Sequence, residues 1–186
     1  MKVVIIGAPG SGKGTQGERL ARRSGAQHIA TGDLLRAEVQ ADTALGHEVA
    51  GYLDSGALVP DQILLDLTMP LIEAAAASAG YILDGFPRSL AQAVRFDELA
   101  SVPVAIESVL FFDAPRPVLV ERLLRRAAQQ GRTDDTEDVI VKRLAVFDSE
   151  TSPLIDYYRR RGLLRVIEAS GPVDEVSARL FATIGC

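Results

Sequence analysis

Short apolar runs rich in β-branched residues alternate along the chain with longer segments in which apolar positions recur every three or four residues. The apolar runs predict five β-strands, at residues 3–6, 27–30, 81–83, 108–112 and 164–167. Helical periodicity covers five other segments, at residues 13–24, 90–99, 117–128, 138–161 and 173–184. This alternation predicts an α/β fold with a five-stranded parallel sheet flanked by helices.

Two segments depart from the simple alternation. Residues 31–80 separate the second and third predicted strands, and this is far longer than a crossover between parallel strands requires. We therefore expect a helical insertion there. Within residues 138–161 we expect a break or kink at Pro153, because proline lacks an N–H group and crowds the preceding helical turn.

The composition favours a single domain over residues 1–186, since 186 residues with 47% hydrophobic content can bury a sizeable core. The net charge of −5 argues against non-specific binding of nucleic acid. Cys186 is the only cysteine, which excludes an intrachain disulfide and a zinc site built from cysteines. One cysteine also fits a reducing compartment.

No apolar stretch reaches the roughly 18 residues that a membrane-spanning helix needs. The chain enters strand-like sequence at residue 3 without a signal peptide. We therefore expect a cytoplasmic protein that has neither a membrane nor nucleic acid as a partner.

A glycine-rich segment, GAPGSGKGT at residues 7–15, directly follows the first predicted strand. Backbone N–H groups of such a loop, together with the N-terminal end of the helix that begins near Lys13, form a nest suited to polyphosphate. Lys13 is positioned to reach the β- and γ-phosphates, and Thr15 offers a hydroxyl for phosphate or for a magnesium-bound water. Gly14 stands where the generic motif has Ser or Thr, and the alternative interpretation is a plain strand-to-helix turn.

A second charged segment, LDGFPR at residues 83–88, begins at the end of the third predicted strand. Ligands of open α/β sheets bind outside the carboxyl ends of the strands, so we expect Asp84 to face the phosphate loop and to hold magnesium through water. The planar fork of Arg88 suits a transferable phosphate. The alternative is an ordinary Asp-Gly turn with a solvated arginine.

A third segment, TGDLLR at residues 31–36, lies where the second strand meets the insertion. Thr31 or Asp33 can cap a helix. Thr31 can also recognise a ligand base, with Arg36 pointing into the same crevice. The two histidines, His28 and His47, are assigned to packing or to the surface.

Cationic residues cluster in the carboxyl half, and they are Arg122, Arg125, Arg126, Arg132 and Arg143. Charge-rich helical faces are usually solvated. The segment GRTDD at residues 131–135, between two predicted helices, instead suggests a lid turn that closes over phosphates and expels water.

These motifs together resemble the adenylate kinases, within the nucleoside monophosphate kinase family. The resemblance covers essentially the whole chain and depends on GAPGSGKGTQ at 7–16, TGDLLR at 31–36, LDGFPR at 83–88 with Gln92, RTDD at 132–135 and KRL at 142–144. It accounts for Gly14, since the loop of this family typically reads Gly-Lys-Gly-Thr. It implies a P-loop NTPase fold with a helical AMP-binding insertion at residues 30–59, a short lid at 126–136, and a monomer.

The resemblance also implies a set of site residues. The ATP-binding residues are Gly10, Ser11, Gly12, Lys13, Gly14, Thr15, Arg122, Arg126 and Gly171. The AMP-binding residues are Thr31, Arg36, Ala57, Leu58, Val59, Gly85, Phe86, Pro87, Arg88, Gln92, Arg132 and Arg143. The catalytic residues are Lys13, Arg88, Arg126, Arg132 and Arg143, with Arg125 as an alternative to Arg126. Asp84, with Thr15 as a second candidate, holds Mg²⁺ through water, and no zinc is expected.

The activity that follows is reversible, Mg²⁺-dependent phosphoryl transfer from ATP to AMP, which gives two ADP and maintains the balance of adenine nucleotides. No dedicated general base is required, because such transfer is catalysed by positioning and charge neutralisation. A UMP/CMP kinase is the nearest alternative, and Thr31 with Gln92 favours AMP, since pyrimidine-directed relatives usually have alanine before the Gly-Asp. A nucleotide-dependent switch protein is an alternative from another class.

Overall fold

The computed structural model describes residues 1–100, 103–130 and 136–185. Five parallel strands form one sheet: β1 Lys2–Gly7, β2 Gln27–Ala30, β3 Tyr81–Asp84, β4 Ser108–Asp113 and β5 Leu164–Glu168. Their spatial order is β2-β3-β1-β4-β5. All five predicted strands are confirmed, and most bounds differ by a single residue.

The helices connect and cover these strands. They are α1 Lys13–Ser24, α2 Thr31–Gln40, α3 Ala44–Ser55, α4 Asp61–Ala76, α5 Leu90–Leu99, α6 Arg116–Gln130, α7 Glu137–Val146, α8 Pro153–Arg160 and α9 Val173–Ile184. The insertion predicted between β2 and β3 is helical and consists of α2, α3 and α4. Among the helices of the described ranges, none is long and apolar enough to cross a membrane.

The segment predicted as a helix broken at Pro153 consists of two helices joined by an irregular turn. Helix α7 ends at Val146, and a π-helical turn, Phe147–Thr151, follows it. Pro153 occupies the first turn of α8, where a backbone N–H group would have no acceptor within the helix, so proline is tolerated there. The predicted break at Pro153 is confirmed, since α8 begins at that residue, and the irregular segment ahead of it already begins at Phe147.

The sheet is buried on both faces. Alternate residues of β1 belong to two separate hydrophobic clusters, with Val4 and Ile6 in one and Val3 and Ile5 in the other. Successive side chains of a strand point to opposite faces, so helices cover both sides of β1. Because neither face of β1 is exposed to water, its sequence is a continuous apolar run.

The strand order also fixes where a crevice opens. From β1 the chain passes through α1 to β2 on one side of the sheet, and from β3 it passes through α5 to β4 on the other side. Neighbouring strands whose connections leave in opposite directions create a crevice at their carboxyl ends. Gly7 ends β1 and Asp84 ends β3, so both predicted motifs open into this crevice.

Candidate active site

The glycine-rich loop connects β1 to α1 in a conformation that needs glycine. Gly10 and Gly12 adopt φ values of 84° and 90°, in the left-handed region that side chains rarely enter. A Cβ on Gly10 would lie 2.6 Å from the carbonyl oxygen of Leu119 on α6. The loop is thus wrapped tightly ahead of α1, whose first residue is Lys13. The loop therefore leads into α1 so that the N-terminal end of this helix faces the crevice.

Lys13 is folded back against this loop. Its Nζ donates to the carbonyl oxygens of Gly7 at 2.6 Å and Ala8 at 3.0 Å. Burial lowers the pKa of Lys13 from 10.5 to about 8, with Asp84 opposing this change and Arg88, Arg143 and Arg126 adding to it. Three arginines therefore act on the ammonium group, which makes the crevice strongly attractive to polyphosphate.

Asp84 supplies the negative charge opposite the loop. Burial alone would raise the pKa of its carboxyl group, but His28, Lys13 and Arg88 outweigh burial and hold the pKa below its usual value. The side chain is 12% exposed. An ionised carboxylate at the mouth of a phosphate loop is the oxygen ligand that Mg²⁺ prefers, so Asp84 fits the expected magnesium site.

His28, which the sequence analysis assigned to packing or to the surface, lies beside Asp84, a neighbour that the sequence did not predict. Its Nε2 lies 3.8 Å from Oδ2 of Asp84, and the side chain is 14% exposed. Within the described part of the chain this buried nitrogen has no hydrogen-bond partner. A Cβ on Gly17 would lie 2.5 Å from the same nitrogen, so the glycine makes room for the ring. No local pattern signals this neighbour, because it depends on β2 lying beside β3.

The turn after β3 is held in a defined shape. Gly85 has φ of 90°, and the Phe86–Pro87 peptide bond is cis. Nε of Arg88 donates to the carbonyl oxygen of Gly85 at 2.7 Å. The side chain of Arg88 is therefore anchored to its own turn, and the alternative of a merely solvated arginine is wrong.

Thr31, the first residue of α2, contacts the start of the same turn. Its hydroxyl donates to the carbonyl oxygen of Asp84 at 3.2 Å. The N-cap residue of α2 is Ala30, which has no side-chain cap, and Asp33 instead pairs with Arg36 at 2.5 Å. The helix-capping interpretation of Thr31 and Asp33 is therefore wrong.

A first cavity lies between the insertion and the turn after β3. It brings together eight of the predicted AMP-binding residues, namely Thr31, Arg36, Ala57, Leu58, Val59, Gly85, Arg88 and Arg143. Tyr52, Leu35 and Leu64 complete much of the apolar wall and were not predicted. Their helical spacing is that of ordinary core positions, so the sequence carries no signal that separates them from the core.

A second cavity adjoins the first on the side of the glycine-rich loop. Its lining includes Gly7, Pro9 and Lys13 from the loop region, and Val146, Phe147 and Thr151 from the end of α7 and the π turn. Five residues line both cavities, and they are Gly56, Leu58, Gly85, Arg88 and Arg143. We call these five residues the shared wall.

Several predicted residues lie outside the cavity linings. Phe86 is fully buried and packs edge-on against Phe96, with ring centroids 6.0 Å apart. Gln92 is also fully buried, and its amide accepts from the Arg88 backbone N–H at 2.6 Å and donates to Asp61 at 2.7 Å. The structure thus places both side chains behind the turn, not in the first cavity.

The predicted arginines of α6 differ in their surroundings. Arg122 donates to the carbonyl oxygens of Ala169 at 2.9 Å and Gly171 at 3.0 Å, so it lies beside Gly171, another of the predicted ATP-binding residues. Arg125 is exposed and pairs with Glu121. Arg126 lies close enough to Lys13 to lower its pKa, which favours Arg126 over Arg125 as the site residue. Arg132 lies outside the described residues.

Comparison with known proteins agrees with this geometry. The family model described as adenylate kinase matches residues 5–163. An adenylate kinase of Phocaeicola vulgatus is 42% identical over 185 residues, covering 99% of this chain and 98% of its own length. One from Porphyromonas gingivalis is 44% identical over 181 residues, covering 97% and 93%. One from Thermosynechococcus vestitus is 43% identical over 190 residues, covering 100% and 97%. The chain belongs to the adenylate kinase family.

Proposed function

We propose that this protein transfers the terminal phosphoryl group of ATP to AMP, giving two ADP, and that the reaction is reversible. The observation that carries the proposal is the shared wall, because it places Arg88 and Arg143 between two adjoining cavities. A phosphoryl group that passes from one nucleotide to the other must cross this wall. Membership of the adenylate kinase family supports the same reaction.

The phosphates of the donor nucleotide are proposed to lie between the glycine-rich loop and the second cavity, which Lys13 lines. The backbone of residues 10–15 and the ammonium of Lys13 are suited to the phosphates of ATP. Arg126 adds positive charge beside Lys13. Gly171, held by Arg122, is the proposed border of the adenine ring.

The acceptor belongs in the first cavity, which the insertion helices line. Thr31 and the backbone of residues 57–59 are suited to the nucleoside, while Arg36, Arg88 and Arg143 are suited to the phosphate of AMP. The preference for AMP over a pyrimidine nucleotide is supported by Thr31, which lines this cavity. Gln92 supports it less directly, since both ends of its amide bind Arg88 and Asp61.

Catalysis by these residues is positioning plus charge neutralisation. Lys13, Arg88, Arg126 and Arg143 converge on the crevice, and Arg132 is proposed to join them from a short lid at residues 126–136. They stabilise negative charge on the phosphoryl group as it leaves one oxygen and approaches another, and the AMP phosphate needs no base to become a nucleophile. Closure of the lid over the AMP-binding insertion at residues 30–59 and the phosphates would exclude water and so protect the phosphoryl group from hydrolysis.

Magnesium is the metal that this donor set fits. Asp84 would hold it through water, with the Thr15 hydroxyl as a second contact. The cation would supply charge that neutralises the β- and γ-phosphates. We propose ATP, AMP and ADP as the small-molecule partners, and a cytoplasmic monomer as the working state.

The test is a phosphorus NMR time course of the purified protein with Mg-ATP and, in separate samples, AMP, CMP, UMP, GMP or no acceptor. Formation of ADP with AMP alone, together with formation of ATP and AMP from ADP, is the expected result. Transfer to another acceptor would contradict the proposed substrate. Release of inorganic phosphate without dependence on an acceptor would support a switch protein or ATPase instead.

A further inference from the structure

The π turn between α7 and α8 departs from regular helix at a point facing the crevice. The backbone N–H of Ser152 donates to the carbonyl oxygen of Phe147 at 2.8 Å, which is the hydrogen bond of a π-helix. Such single turns insert one extra residue into a helix and occur frequently at functional sites. Here the turn directs Thr151 toward the turn that carries Arg88.

Thr151 holds the backbone of Arg88 from one side. Its hydroxyl donates to the carbonyl oxygen of Arg88 at 2.7 Å, and the residue is 7% exposed. From the other side, Oε1 of Gln92 accepts from the N–H of Arg88 at 2.6 Å. Both backbone hydrogen-bonding groups of Arg88 are thus fixed by side chains of two different helical segments.

We propose that Thr151 is a positioning residue for Arg88, holding its carbonyl so that the guanidinium is directed to the shared wall. Thr151 acts through Arg88 and is not itself assigned a contact with the transferred group. The proposal rests on the proposed function, since the arginine is positioned for phosphoryl transfer. The hydrogen bond also connects the Arg88 turn to the π turn, which follows the helix that carries Arg143.

The expected effect follows from the geometry of transfer. A displacement of about 1 Å of a positioning group can lower the rate by about a hundredfold. Thr151→Val keeps the shape of the side chain and removes the hydroxyl. We expect kcat for AMP phosphorylation to fall about 10- to 100-fold, with KM for ATP changed less than about twofold. Thr151→Ser restores the donor and is expected to recover kcat to within about threefold of the wild type.

The matched control is Thr68→Val. Thr68 is a fully buried helical threonine whose hydroxyl donates to a backbone carbonyl at 2.6 Å, but that carbonyl belongs to Leu64 on α4, and Thr68 lines neither cavity. We expect Thr68→Val to lower Tm while leaving kcat within about twofold of the wild type. If Thr151→Val does not fold, Thr151→Ala replaces it, since a smaller side chain cannot overpack the site.

A spectroscopic signal reads the position of Arg88 without activity. The Nε–H of Arg88 donates to the Gly85 carbonyl, so its ¹H–¹⁵N resonance reports that contact, and Arg88→Lys assigns the resonance by removing it. We expect this resonance to shift or broaden in Thr151→Val and to return in Thr151→Ser. Thr68→Val is expected to leave it in place.

Three results would overturn the proposal. The first is a Thr151→Val protein with wild-type kcat and an unmoved Arg88 resonance. The second is an equal fall of kcat in Thr151→Val and Thr68→Val, which would indicate a general loss of stability. The third is failure of Thr151→Ser to recover either signal. A wild-type protein that transfers no phosphoryl group overturns the proposed function instead, and the Arg88 resonance then still decides the positioning contact.

Discussion

At the residue scale, the burial of Lys13 lowers its pKa and should make ATP binding depend on pH. An ammonium with a pKa of about 8 is partly neutral just above physiological pH. Polyphosphate binds the protonated form, so bound ATP raises the pKa of Lys13 and affinity must fall as the pH rises. We expect Kd for ATP, measured calorimetrically from pH 7 to 9.5, to increase by up to about tenfold per pH unit above pH 8.

The control for this pH dependence is Lys13→Arg, whose guanidinium stays protonated throughout the range. Its Kd for ATP is expected to be weaker and independent of pH, and a wild-type Kd that is equally flat would contradict the shift. Without nucleotide, the unfolded chain binds more protons than the folded one between pH 8 and 10.5. The contribution of Lys13 to the free energy of unfolding is therefore expected to rise over that interval.

Gly17 and His28 are predicted to be energetically coupled. Alanine at position 17 favours helix by about 1 kcal/mol over glycine, but its Cβ would meet Nε2 of His28 at 2.5 Å. We expect Gly17→Ala to stabilise the His28→Ala variant and to be at least about 1 kcal/mol less favourable in the wild type, because overpacking is destabilising. Urea unfolding of the four proteins measures the coupling, and additivity within about 0.5 kcal/mol would contradict it.

The chemistry of single residues could be predicted where a local motif carries it. Lys13, Asp84 and Arg88 each follow a strand within a characteristic turn, so their meeting at the sheet edge was predictable. His28 and Thr151 were not, because each becomes a neighbour of the site through a contact distant in sequence, 3.8 Å from Asp84 and 2.7 Å from Arg88. No spacing in the chain encodes such contacts.

At the element scale, α4 contains a proline in its interior. Pro70 removes the hydrogen bond that an N–H would donate to the carbonyl of Asp66, and it is exposed. We expect Pro70→Ala to raise the free energy of unfolding by about 1–2 kcal/mol, since the helical gain of about 3 kcal/mol is partly offset by a freer unfolded chain.

Chemical denaturation measures this gain, and the kinase rate serves as its control. Pro70 lines neither cavity, so activity at 25 °C should be unchanged. A decrease in stability would mean that the backbone geometry imposed by Pro70 is required for packing of Leu64, Leu65 and Ile72 in the core.

Strands and the helices outside the insertion were both predicted closely, and α1, α5 and α9 have the predicted bounds. A buried parallel strand is a short apolar run between polar turns, so it can be recognised from its own few residues without knowledge of distant contacts. The break at Pro153 was predictable because proline is compatible with a helix start, whereas the π turn that precedes it was not predicted. The π turn contacts the Arg88 turn through the Thr151 hydroxyl, a contact between residues far apart in sequence that no local propensity expresses.

At the scale of the whole molecule, we expect a metal ion to be required for phosphoryl transfer but not for the stability of the fold. Among the described residues, no group of three His, Cys, Asp or Glu side chains could hold a metal ion. We expect a zinc-specific chelator to leave both Tm and activity unchanged. Excess EDTA is expected to abolish phosphoryl transfer and to leave Tm unchanged, with activity restored by Mg²⁺. A fall in Tm with the zinc chelator would contradict this prediction.

The order of the strands could not be derived from the sequence, although the number and parallel direction could. Strand order determines that β3 lies between β1 and β2, and therefore that Asp84, Lys13 and Thr31 share one crevice. The extent of the two cavities depends in turn on how α2, α3 and α4 pack. Such packing is set by contacts distributed over the entire core, beyond the reach of any motif.

The shared wall has a thermodynamic consequence for the two nucleotide sites. Gly56, Leu58, Gly85, Arg88 and Arg143 can adopt only one arrangement at a time, and both cavities depend on it. If a nucleotide on one side changes the affinity on the other by some factor, the reverse effect has the same factor, whichever binds first. The affinity for each nucleotide therefore has to be measured both with and without the other, because binding of either one alone does not report the coupling between the two sites.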